Sequence, residues 1–246
     1  MIPPGTKVAL FIPCYTEQIF PETGLALARL LRHFGLRPVN VPHQTCCGQP
    51  AFNSGYRDLT LSLAERWLRL FEPYEWIVAP SGSCVSMVKV FYGQLNLSEA
   101  GRKRWEALRH RIFEGTQFIY HQLGIKDIGG SFSGTVALHE SCHARRELGV
   151  NEEPKALLSS ISGLELVIPP NSEECCGFGG TFAVKFPELS IAMGLDKIAA
   201  VQQTGAQILT SVDDSCLMHL DGLMKRRKIK IQTMHALRIM ANAIVT

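Results

Sequence analysis

The chain has 246 residues, 46% of them hydrophobic and 19% charged, with a formal net charge of +3. That composition is of an ordinary globular protein, and the charge is too small for this length to argue for nucleic acid. No apolar run approaches the roughly 20 residues of a membrane span, and the N-terminal stretch lacks a small-residue cleavage site, so a cytoplasmic location is expected.

Val8–Ile12 reads as a buried strand, ending just before Cys14. Leu25, Leu27, Ala28, Leu30, Leu31 and Phe34 follow at helical spacing, with Pro21 at the start and Gly35 at the end. Arg37–Val41 is a second strand, Leu59–Phe71 a second amphipathic helix and Trp76–Ala79 a third strand. An added segment, 97–113, reads as a surface helix. A Gly/Ser-rich stretch at 129–134 separates two halves, expected as domains over 1–128 and 135–246. The second half repeats the order: strand 135–139, helix 155–161, strand 165–168, helix 187–204, strand 207–210.

The repetition extends to the cysteines. VALFIPC (8–14) aligns with VALHESC (136–142), QTCCGQPAF (44–52) with EECCGFGGTF (173–182), and APSGSC (79–84) with SVDDSC (211–216). Gln117–His121 is also matched to Gln232–His235. Each half thus carries a C…CC…C set: Cys14, Cys46, Cys47 and Cys84, then Cys142, Cys175, Cys176 and Cys216. Strands alternating with helices predict an α/β fold with a small parallel sheet in each half. Ligands gather beyond the carboxyl ends of such strands, so each set of four is expected to converge on a pocket.

Eight cysteines in a reducing compartment call for a metal or redox role. Adjacent cysteines reach a single small ion with difficulty, whereas a multi-iron cluster offers them separate irons. Gly48 and Gly177 follow the doublets and allow backbone N–H groups to approach sulfur. Gly179 and Gly180 complete a GFGG turn read as close backbone contact beside the cluster. His139 and His143 flank Cys142 as candidate donors. No catalytic residue is assigned. A zinc-stabilised, non-catalytic scaffold is the second reading.

The stretches CCGQPAFNSGY (46–56), PSGSC (80–84), SCH (141–143), CCGFGGTFAVK (175–185) and CLM (216–218) resemble the cysteine-rich CCG-domain family. That family includes the B component of heterodisulfide reductases, and the nearest resemblance is to its lactate-utilisation branch. The resemblance covers essentially the whole chain. It implies two tandem, internally duplicated CCG domains holding one or two [4Fe–4S]-type iron–sulfur clusters on the eight cysteines, with Gly48, Gly177, Gly179, Gly180 and His143 nearby. It also implies a redox subunit that oxidises L-lactate to pyruvate only with two partners of the lactate-utilisation system, the ferredoxin-like B component and the small C component. The reductase relatives carry a fifth cysteine where this chain has Ser81 and Asp213.

Overall fold

The computed structural model describes residues 2–244. The first half runs β1 (Lys7–Leu10), α1 (Cys14–Ile19), α2 (Pro21–His33), β2 (Arg37–Asn40), α3 (Gln49–Asn53), α4 (Arg57–Phe71), β3 (Ile77–Ala79), α5 (Gly82–Lys89), α6 (Glu99–Leu108), β4 (Ile112–Glu114) and α7 (Gly115–Gln117). The second runs β5 (Ser131–Leu138), α8 (Cys142–Leu148), α9 (Glu152–Ser159), β6 (Ser162–Val167), α10 (Phe182–Lys185), α11 (Pro187–Gln203), β7 (Ile208–Thr210), α12 (Asp214–Arg226), β8 (Gln232–Thr233) and α13 (Ala236–Ala243).

Each half builds a four-stranded sheet, ordered β2-β1-β3-β4 and β6-β5-β7-β8, and every strand pair is parallel. Three of the four interior strands, β1, β3 and β7, are three or four residues long, and β5 has eight. Val8, Ala9 and Leu10 are all buried, which explains why β1 reads as a continuous apolar run. Pro21 opens α2, and Gly35, at φ 78°, closes it: Leu36 N–H donates to Leu31 O at 2.9 Å in the helix-ending motif that a left-handed residue permits. Leu27, Leu30 and Leu31 are fully buried, each contributing about 2 kcal/mol by leaving water. Leu25 lies on the opposite side of the helix and is 63% exposed, so it does not belong to the apolar face that its neighbours form.

Three expectations need correction. Segment 97–113 is not helical throughout: α6 ends at Leu108, and Ile112–Glu114 forms β4, paired with β3. The partner of Gln232–His235 is therefore not Gln117–His121. Sheet pairing places Thr233 beside Leu209 as Ile112 lies beside Ile77, so Glu114 and His235 are equivalent. Both cap the helix that follows them: Glu114 accepts from Thr116 N–H, and His235 Nδ1 accepts from Leu237 N–H. Gln117 instead ends α7, and Phe118–Gln122 continues as a helical turn. Finally, the Gly/Ser-rich stretch is not all linker, since β5 already begins at Ser131.

The halves also share a core. One apolar cluster joins Leu27, Leu30 and Leu31 of α2 to Leu237, Ile239 and Met240 of α13, and α13 packs directly on α2. The reciprocal contact sets α7 against α9. Equivalent elements thus cross over, α5 against α8 and α1 against α12, in an approximate two-fold arrangement. At its centre Ser81 and Asp213 pair as an isolated antiparallel bridge, joining the loops after β3 and β7. No described helix is long and apolar enough to cross a membrane.

Candidate metal centre

All eight cysteines lie beyond the carboxyl ends of the strands, and all eight line a single cavity of about 140 Å³. Each set of four converges as the topology requires. The crossover of elements then brings the two sets to the same cavity, which the sequence pattern does not reveal. All eight are free thiols.

Helix starts position half of them. Cys14 and Cys142 are the first residues of α1 and α8, and Cys84 and Cys216 are the third residues of α5 and α12. Unpaired N–H groups at a helix start favour thiolate. The doublets sit on loops after β2 and β6, closed by Gly48 and Gly177 at φ 86° and 88°. That left-handed turn aims the glycine N–H back at the first cysteine of each doublet. Gly48 N–H lies 3.3 Å from Cys46 Sγ and Gly177 N–H 3.4 Å from Cys175 Sγ. A Cβ on Gly177 would also meet Ser190 O at 2.5 Å, whereas one on Gly48 would find only side-chain atoms, the nearest at 3.3 Å.

Within each set the thiols crowd one another. Cys47 Sγ lies 3.4 Å from Cys84 Sγ. Hydrogen bonds from Cys14 and Cys47 pull Cys46 down to about 3, and those from Cys142 and Cys176 pull Cys175 down to about 2. Their partners go the other way. Cys14 and Cys142 are raised by sharing that bond and by burial, as are Cys47 and Cys176. Cys216 falls to about 6, mainly through its bond with Cys176 and then through the imidazole of His139. Thiolates held this close repel, and a bound cation or cationic cluster relieves that repulsion.

Around them the two sets differ. Asp213 is the hub at the centre. Its carboxylate accepts from Ser81 OH and Ser83 OH, each at 2.7 Å, from Ser83 N–H at 3.1 Å, and from Ser141 OH. Ser81 Oγ also accepts from Cys84 N–H at 3.2 Å. Ser81 and Asp213 are therefore fully engaged in tying the halves together. Next to Asp213, Asp214 accepts from Thr16 at 2.8 Å and Thr23 at 3.1 Å. Its equivalent is Gly82, where any Cβ would collide with Ala144.

His143 lines the cavity and places Nδ1 2.6 Å from Gln49 Nε2 of the first half. Its equivalent, Tyr15, packs edge-on against Phe178 with ring centroids 5.6 Å apart. Gly179 and Gly180 also line the cavity, at φ 52° and 65°. The GFGG turn leads into the short helix α10, missed in the sequence because one turn has no readable period. Arg145 and Arg146 lie in the last turn of α8 and do not reach the cavity lining. His139 is equivalent to Phe11. One of its ring nitrogens and the sulfurs of Cys176 and Cys216 lie within 4.8 Å of one another.

Comparison with known proteins agrees with this geometry. Residues 8–89 and 136–221 each match the family described as a cysteine-rich domain, CCG. A lactate utilization protein A of Exiguobacterium is 39% identical over 240 residues, covering 97% of this chain and 98% of its own. The lactate utilization protein A of Macrococcus caseolyticus is 39% identical over 238 residues, covering 97% of each chain. Among solved structures, a hypothetical protein from Helicobacter pylori is similar with a TM-score of 0.63 at 14% identity. It matches 99% of this chain, which spans half of that longer one, and it shows the fold alone. The chain belongs to the CCG cysteine-rich domain family, in company with the proteins named lactate utilization protein A.

Proposed function

We propose that the chain is a cytoplasmic iron–sulfur redox subunit of a system that oxidises L-lactate to pyruvate. Its two sets of four cysteines would each hold a [4Fe–4S]-type cluster. One observation carries this reading: eight thiols in two equivalent fours line one cavity. The names of the relatives supply the link to lactate use. Thiolates are the usual ligands of such clusters, which when bound supply one-electron carriers.

The chain's own residues then have defined tasks. The cysteines bind, with Cys14, Cys46, Cys47 and Cys84 serving one centre and Cys142, Cys175, Cys176 and Cys216 the other. Gly48 and Gly177 N–H groups withdraw electron density from Cys46 and Cys175. Tyr92 and Trp67, both buried, keep water from Cys47, and Tyr92 OH holds the Cys47 carbonyl at 2.9 Å. Asp213 fixes both loops that carry Cys84 and Cys216.

Lactate oxidation also needs a base and a clamp for the carboxylate. Among the described residues no arginine or lysine lines the cavity, and His143 is engaged with Gln49. Turnover is therefore expected only with the ferredoxin-like B component and the small C component of the system. Anaerobically purified protein should contain iron and sulfide and be brown. Cys47→Ser or Cys176→Ser should each remove about half of the iron, since a hydroxyl is a poor substitute for a soft ligand. Colourless protein with stoichiometric zinc, or full iron in both variants, would overturn the assignment.

A further inference from the structure

The first and second cysteine sets have the same thiols but not the same fifth neighbour. In the first half Phe11 follows β1. It is fully buried and packs edge-on against Trp67 and Phe71, with centroids 5.5 Å from each. In the second half the same position after β5 is His139, only 1% exposed. Its backbone is held as a strand extension, His139 N–H donating to Thr210 O at 2.8 Å. Among the described residues neither Nδ1 nor Nε2 meets a hydrogen-bonding nitrogen or oxygen, and the ring instead faces the Cys216 thiol, which it draws down. A buried imidazole must carry at least one N–H, and without an oxygen or nitrogen partner its polar edge is costly to bury. Phenylalanine would fill this position without that cost, as Phe11 does in the first half.

His139, Cys176 and Cys216 present their donor atoms within 4.8 Å of one another, all three buried. A soft thiolate pair with an imidazole is a metal-binding set. A metal on one ring nitrogen would use that nitrogen's lone pair and leave the N–H on the other.

We propose that His139 is a ligand of the second centre, so that the two halves hold chemically different sites: an all-thiolate one on Cys14, Cys46, Cys47 and Cys84, and a mixed thiolate–imidazole one on Cys142, Cys175, Cys176, Cys216 and His139. This rests on the metal-centre reading above and goes beyond it.

The test uses anaerobic full-length protein reconstituted with iron and sulfide and labelled with ¹⁵N-histidine. Pulsed electron paramagnetic resonance of the reduced protein should show a directly bound histidine nitrogen that changes on labelling. That coupling should disappear in His139→Phe, which copies the first half, and in His139→Gln, while His143→Gln retains it. The signal of the other centre should be unchanged in both His139 variants. Absence of histidine coupling in the labelled wild type overturns the proposal without recourse to any variant, as does coupling that survives in both His139 variants. If the wild type takes up no iron or sulfide, the cluster reading fails first. The same proteins loaded with cobalt(II) then decide the question separately. A visible spectrum altered by His139→Phe supports His139 as a ligand, and an unaltered one overturns it.

Discussion

The two halves of the molecule have kept their thiols and exchanged almost everything around them. In the first half the cysteines are walled by rings: Phe11, Trp67, Phe71 and Tyr92 pack into one cluster with Cys47 and Cys84. In the second half the equivalent wall contains His139, and the side chains joining Cys176 and Cys216 are aliphatic. The cavity rim repeats this pattern. Tyr15 meets Phe178 ring to ring, while the equivalent His143 meets Gln49 through a hydrogen bond. Duplication fixes where ligands go because strand ends fix backbone position. Neighbours drift because any buried group of suitable volume satisfies the core, and this drift is what can give two like centres different properties.

The equivalent pair Ser81 and Asp213 offers the largest break in the likeness. Asp213→Ala strands three hydroxyls and the Ser83 N–H in a buried place, and should cost about 4 kcal/mol of stability. Ser81→Ala leaves Asp213 its other donors and should cost about 1 kcal/mol. Chemical denaturation of both variants measures the gap, and equal losses would show that the hub is not centred on Asp213.

Glu114 and His235 differ in a way that pH exposes. Burial raises the Glu114 carboxyl from 4.5 to about 7, opposed by the hydroxyl and N–H of Thr116. The folded state therefore holds this proton more tightly than the unfolded chain does. The stability it contributes is complete below about pH 4.5 and is lost as pH rises to about 7, roughly 3 kcal/mol in all. Glu114→Gln should flatten that part of a stability–pH curve. A curve with the same slope in both proteins would place the titration elsewhere.

The smallest contrast is between the glycines after the doublets. Gly48→Ala places a Cβ at φ 86° against side-chain atoms only, the nearest, on Thr60, at 3.3 Å, and should cost about 1 kcal/mol. Gly177→Ala adds a clash with Ser190 O and should cost about 3 kcal/mol. Melting temperatures of the two variants test the ranking.

Much of the fold is legible in the residues, and the omissions share a cause. Strands such as Lys7–Leu10 and helices such as Pro187–Gln203 announce themselves by apolar runs or by period. Helices α1, α3 and α8 are seven residues or shorter and offer no period to read, yet they carry or adjoin cysteines. The three residues of β4 merge into a helical reading for the same reason, and the final repeat is then matched to the wrong block. The gathering of each set of four follows from parallel-sheet topology. The meeting of both sets in one cavity does not, because it depends on how the halves embrace. The exchange of Phe11 for His139 stands openly in VALFIPC and VALHESC, but only its burial beside Cys176 and Cys216 gives it weight.

The contact of α13 with α2 has a consequence for how the protein is made. Leu27, Leu30 and Leu31 emerge from the ribosome roughly 200 residues before Leu237, Ile239 and Met240, which cover them. Until then the nascent first half has its cysteines but an open flank. The order of synthesis delays completion of the first half until the last helix arrives, so both halves finish folding together.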